Sequence, residues 1–168
     1  TRVFKVITGN VTIDGLTITN GFDRGTDCNN FPCGAGIFVQ NGTVVTVSNS
    51  TLISNTASHF GGGIYNAGTV AVNNCVLSEN VVDNQNSSGS GIYNAGAATI
   101  NKSSLLDNVS AGEGGGISNI EGNLIVDHTV FSGNSASKGG GGIVNFFGAS
   151  VITVSNSTFS DNSAGFGS

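Results

Sequence analysis

Tryptophan and methionine are absent from the 168 residues, proline occurs once, and only 9 % of positions carry a charge. Each scarcity removes a class of protein. Ordinary globular domains hold roughly a quarter of their residues as charged side chains, so this surface has to be wetted by asparagine, serine, threonine and backbone. Five basic residues against ten acidic ones give a net charge of −5. That leaves too little Lys and Arg to neutralise a phosphate backbone or to hold an anionic lipid surface. No apolar run approaches the roughly 20 residues of a membrane-spanning helix. The chain opens on neither a signal peptide nor an initiator methionine, and it is expected to be a mature or excised piece. Three cysteines are too few for a disulfide framework. Cys28 and Cys33, close together in CNNFPC, are candidates for one disulfide, and Cys75 stands alone.

What is abundant is glycine, at 27 positions, and it recurs in phase. A Gly-rich motif reads CGAGIFV to Val39, GGGIYN to Asn66, GSGIYN to Asn94, GGGISN to Asn119 and GGGIVN to Asn145, which places Ile37, Ile64, Ile92, Ile117 and Ile143 in step. A second motif runs with it: LISN to Asn55, LSEN to Asn80, LLDN to Asn108, FSGN to Asn134 and FSDN to Asn162, with an incomplete earlier copy, GLTITN, ending at Asn20. Self-similarity at a fixed period near 26 residues is the signature of a repeat architecture. Within a unit the apolar residues alternate, the mark of half-buried strands. Val70 and Val72 flank Ala71, for example, and Cys75 and Leu77 flank Val76.

No segment has helical periodicity, which excludes a βαβ sheet. The arrangement that repeats in this way is a coil, each turn stacked on the last. The sequence therefore predicts an all-β fold, a right-handed parallel β-helix solenoid of about six coils, each of roughly 26 residues and three short strands. Residues 1–168 form one repeat domain in this reading, a segment of a longer array or a stackable subunit. Asn20, Asn55, Asn80, Asn108, Asn134 and Asn162 are expected to stack as one structural ladder, and Asn66, Asn94, Asn119 and Asn145 as a second. An amide carries donors and acceptors and can bond to the coils on either side.

The paired tetrapeptides GGGI (Gly61–Ile64, Gly114–Ile117, Gly140–Ile143) and FxxN (Phe131–Asn134, Phe159–Asn162) resemble the repeats of polymorphic outer membrane proteins. They are also similar to large secreted bacterial β-helix proteins of pectin-lyase-like architecture. The resemblance covers nearly the whole chain and implies a secreted or cell-surface structural element, an adhesin stalk or passenger. It supplies no catalytic residues, and fold by itself does not deliver function.

Chemistry finds little purchase in this sequence, and no catalytic, cofactor or metal residue is assigned. Polysaccharide-cleaving β-helices, the chief alternative, need carboxylates converging on one face beside a base or calcium. Glu79, Asp107 and Asp161 share one register, but Ser54 and Gly133 interrupt it, and they are read as solvated corner acids. His59 and His128 fall at different phases of the repeat and are not expected to meet. Cys75 sits in a column with Ser50, Ser103, Thr129 and Ser157 and is read as a buried filler thiol. The glycine stretches lack the Lys-Ser/Thr of a phosphate loop and the Asp of a calcium-binding nonapeptide. An ice-binding face would use the column Thr46, Ala71, Thr99, Ile125 and Thr153, which is broken at two places.

Two departures from the repeat remain. The stretch FDRGTDCNNFPC, residues 22–33, inserts extra chain after the first coil and is a candidate contact loop pinned by Cys28 and Cys33. The two ends enter and leave near the same phase, with Val6 expected near the position of Ile64. The expected partners are thus further coils of a parent chain or a second copy joined end to end as a fibre, with a host or surface glycan as a possible ligand.

Overall fold

The computed structural model describes residues 1–25, 33–146 and 150–165. Among them the regular structure is entirely β, in four parallel sheets of six strands. The first sheet is built from Phe4–Val6, Ile37–Val39, Ile64–Asn66, Ile92–Asn94, Ile117–Ile120 and Ile143–Phe146. The second holds Asn10–Asp14, Val44–Ser48, Thr69–Asn73, Ala97–Asn101, Asn123–Asp127 and Ile152–Ser155. The third runs Thr17–Thr19, Thr51–Ile53, Val76–Ser78, Ser104–Leu106, Val130–Ser132 and Thr158–Ser160. Every strand pairs with its equivalents one coil before and one coil after, so the chain is a solenoid of six coils.

A fourth sheet corrects the expectation of three strands per coil. Its strands are the dipeptides Phe22–Asp23, Thr56–Ala57, Val81–Val82, Val109–Ser110, Ser135–Ala136 and Ser163–Ala164. Each has one residue facing in and one facing out, too short a run to show the alternation by which strands are recognised.

The interior is a set of columns fixed by this register. Ile37, Ile64, Ile92 and Ile117 stack in the first sheet, and Leu52, Leu77, Leu105 and Phe131 in the third, all fully buried in one continuous core. Phe4, not Val6, pairs with Ile37 and begins the isoleucine column. Val6 lies opposite Val39, which in turn faces Asn66. The misplacement arose because the first coil lacks the Gly-rich signal that sets the phase.

The three glycines of Gly61-Gly62-Gly63 answer to different constraints. Gly61 has a φ of 63°, which an L side chain rarely adopts. A methyl group on Gly62 would lie 2.6 Å from the Val81 carbonyl oxygen, and one on Gly63 would lie 2.6 Å from that of Gly91. Close approach of neighbouring coils, as well as the turn, makes the motif glycine.

The two end faces differ. In the first coil Ile13 and Ile18 are only 3 % and 1 % exposed, with Phe4 packed against the same core. In the sixth, the equivalent Val154 and Phe159 are 43 % and 46 % exposed. They line an open hollow of about 640 Å³ with Ile143, Ile152 and Ala164.

Candidate functional site

The polar chemistry of the interior is concentrated in two asparagine ladders. In the first, the amide of Asn55 donates to Oδ1 of Asn80 at 3.0 Å, Asn80 to Asn108 at 3.0 Å, Asn108 to Asn134 at 2.8 Å and Asn134 to Asn162 at 2.9 Å. The same oxygens accept the backbone N–H of the preceding asparagine. The second amide hydrogen returns to a carbonyl one coil back, from Asn80 to Leu52 and from Asn108 to Leu77. A primary amide offers two donors and two acceptor sites, and at Asn80 and Asn108 all four are used. In the second ladder Asn66 donates to Asn94 at 2.7 Å, Asn94 to Asn119 at 2.6 Å and Asn119 to Asn145 at 2.8 Å.

Asn20 is not part of the first ladder. Thr19 pairs with Ile53, so Asn20 stands opposite Ser54, and Gly21 holds the ladder position and donates its N–H to Asn55 at 2.9 Å. Asn20 is exposed with a φ of 56°, in a column of left-handed corner residues continued by Ser54, Glu79, Asp107, Gly133 and Asp161. Its placement one residue off follows from sequence: an Asn beside a Gly reads as the Asn of the ladder when either residue fits.

The acids Glu79, Asp107 and Asp161 therefore serve as turn residues whose side chains point to solvent, where the backbone tolerates few residue types. Ser54 donates to Glu79 across one rung at 3.2 Å. At the corner between the second and third sheets His128, exposed, lies 2.8 Å from Asp127, while His59 belongs to the connection entering the first sheet. The histidines are on different corners. Hydrogen bonds from Asn156, Ser155 and His128 hold the Asp127 carboxyl down at about 2. Among the described residues, no three His, Cys, Asp or Glu side chains converge as metal ligands would.

Cys75 lies in a hydroxyl column. Ser50, Ser103 and Thr129 are buried at the same register and donate to carbonyls two residues back, and the Cys75 thiol makes the corresponding contact to Asn73 at 3.2 Å. Burial pushes the thiol pKa up, away from the reactive thiolate.

A third ladder, on the outer face of the first sheet, was not foreseen. Phe38, Tyr65 and Tyr93 occupy one outward register, with ring centroids 5.4 Å and 5.2 Å apart and planes within 3° and 6° of parallel. Phe60 closes on Tyr93 at 4.7 Å, and the guanidinium of Arg2 covers Phe38 at 4.8 Å. Burial, followed by the neighbouring Tyr65 and Glu121, pushes the Tyr93 hydroxyl up to about 12. The repeated tetrapeptide GIYN at both tyrosines carried the signal. Because the rings face one another along the solenoid axis, their faces are spent on each other rather than offered to a sugar ring.

Beside this stack, the residue 22–33 insertion is anchored at both described ends. Arg2 bridges Asp23 at 2.9 Å with both side chains buried, and Asp23 accepts the Cys33 N–H at 2.7 Å. Cys33 is buried, whereas Cys28, the other half of the expected disulfide, lies outside the described residues. The threonine column of the second sheet aligns in register as Thr12, Thr46, Ala71, Thr99, Ile125 and Thr153, interrupted as in the sequence.

The described residues thus combine closed interior ladders, an outer aromatic stack and scattered corner acids. No curated protein and no solved structure matches the chain. Residues 5–167 match the family described as right handed beta helix region. With four parallel sheets winding in register over almost that entire span, the chain belongs to the right-handed β-helix family.

Proposed function

We propose that the chain is a non-catalytic structural solenoid, a stalk element of a secreted or cell-surface protein that holds spacing and rigidity rather than turning over a substrate. One observation carries the reading. The asparagine and aromatic side chains of the kind that recognise ligands are bonded or stacked to their own equivalents, rung after rung. The likeness of GGGI and FxxN to polymorphic outer membrane protein repeats supports placing it at a cell surface. So does a surface wetted by amide and hydroxyl groups, with few charges.

The alternative with the same architecture is a polysaccharide lyase. Incubation with polygalacturonate and calcium separates the two, followed by the absorbance of unsaturated product. The stalk reading expects none above a boiled control. Sustained turnover that is lost on replacing Asp107 or Asp161 would overturn it.

A further inference from the structure

Both asparagine ladders run one way: each earlier amide donates to the later one, from Asn55 through to Asn162 and from Asn66 through to Asn145. The directionality has consequences at the two end faces. At the sixth coil, Asn162 returns one amide hydrogen to the Phe131 carbonyl at 2.9 Å, and its Oδ1 accepts from Asn134. No later amide follows Asn162 or Asn145 among the described residues. The same face exposes Phe159 and Val154 and the unpaired edges of four parallel strands.

The first coil is built differently. Val6 and Gly21 hold its two ladder positions, so it offers no side-chain oxygen at either. Gly21 also has no room for an asparagine, since a methyl group there would lie 2.3 Å from the Ala35 carbonyl oxygen. The inward position of its fourth strand is Asp23, paired with Arg2, where later coils place Ala57 and Val82.

We propose that the sixth-coil face is a docking surface for one further coil of this same repeat, one that presents an asparagine oxygen at both ladder positions. The first coil of a second copy is not that partner. Stacked head to tail, it would set Val6 against Asn145 and Gly21 against Asn162. One Asn162 amide hydrogen would then be buried without an acceptor, and Asn145 would keep only a backbone carbonyl of the kind that Asn66 and Asn94 use beside the ladder oxygen. A coil of the type of residues 114–139, with Asn119 and Asn134 at the ladder positions, supplies both acceptors and continues all four sheets. The inference extends the structural reading. Its test reads docking rather than catalysis, so turnover on a polysaccharide would overturn the stalk and leave this proposal standing.

The test is a set of fusions to the full chain. A copy of residues 114–139 is joined in phase to the C-terminus, alongside a version with both ladder asparagines changed to alanine and a third with the unaltered coil joined ahead of the N-terminus. The C-terminal fusion is expected to raise the melting midpoint by roughly 5 °C. It should also slow amide exchange in Thr158–Ser160 about tenfold or more. The alanine version should lose at least half of both gains, and the N-terminal fusion should leave exchange in Thr158–Ser160 unchanged and gain less than half the midpoint shift. Exchange at Thr158–Ser160 reports docking even where the global melt is unresponsive. Equal gains from the alanine coil or from the N-terminal fusion would overturn the proposal. So would growth of the unmodified chain into filaments at rising concentration.

Discussion

At the scale of single residues, the same amino acid does opposite work one position apart. Asn108 is fully buried with its amide bonded on four sides, to Asn80, Leu77, Asn134 and the backbone N–H of Asn80. Asn20 is exposed and valued for the left-handed backbone it tolerates. Alanine at 108 would remove two donors and two acceptor sites and leave buried partners in both neighbouring coils unsatisfied. Each such orphan costs about 1–3 kcal/mol, and members of a network fail together. Asn108→Ala should therefore lower stability by at least ~3 kcal/mol. Asn20→Gly keeps the φ of 56° accessible and touches no ladder, so it should stay within about 0.5 kcal/mol of the parent. Urea unfolding of both variants checks the contrast. Similar losses at the two sites would mean that the ladder contributes no more than an ordinary corner.

Among elements, the stack of Phe38, Tyr65 and Tyr93 makes its own testable statement. A tyrosine whose hydroxyl is pushed up to about 12 in the folded chain, by burial first, ionises near its ordinary value of 10.0 once unfolded. Between those two values the unfolded chain has lost the proton and the folded chain still holds it. Stability must then fall as pH rises through that window, and it is unaffected below it. Tyrosinate absorbance should show one group titrating near 12, and Tyr93→Phe should remove both that step and the associated loss of stability. A Tyr93 that titrates at the ordinary value would show the rings to be solvated.

The elements also show which parts of the fold were readable in advance. The isoleucine and leucine columns, the second asparagine ladder and the hydroxyl column around Cys75 follow from strict phase, because identical neighbours one coil apart are what stacking requires. The fourth sheet did not, since Val81-Val82 and its equivalents are too short to alternate. The Phe38–Tyr65–Tyr93 stack is signalled only by GIYN at two of its three positions, and an outward aromatic reads as incidental until its neighbours above and below are known. In the first coil the phase itself slips, at Val6 because the Gly-rich motif is missing and at Asn20 because Gly21 stands where later coils carry the ladder asparagine.

The whole molecule is a one-dimensional stack, each coil held only by the coils before and after it. In such an object stability is a sum of coil terms and nearest-neighbour interface terms, and a damaged interface divides the chain instead of weakening it uniformly. Gly91 is suited to test this, since a methyl group there would lie 2.5 Å from the Gly116 carbonyl oxygen, at the interface of the fourth and fifth coils. Gly91→Ala should cost about 1–3 kcal/mol as overpacking and should split the thermal transition. Hydrogen exchange would then show residues 114–165 opening ahead of residues 34–82. Gly9, with a φ of 80° and open space around it, is the matched control. Gly9→Ala bears only the left-handed backbone cost of about 1–2 kcal/mol, at the first coil, and should keep a single transition. A single transition in Gly91→Ala, with exchange accelerated equally on both sides, would mean that cooperativity runs through the core as a unit. The nearest-neighbour account of this solenoid would then have to be given up.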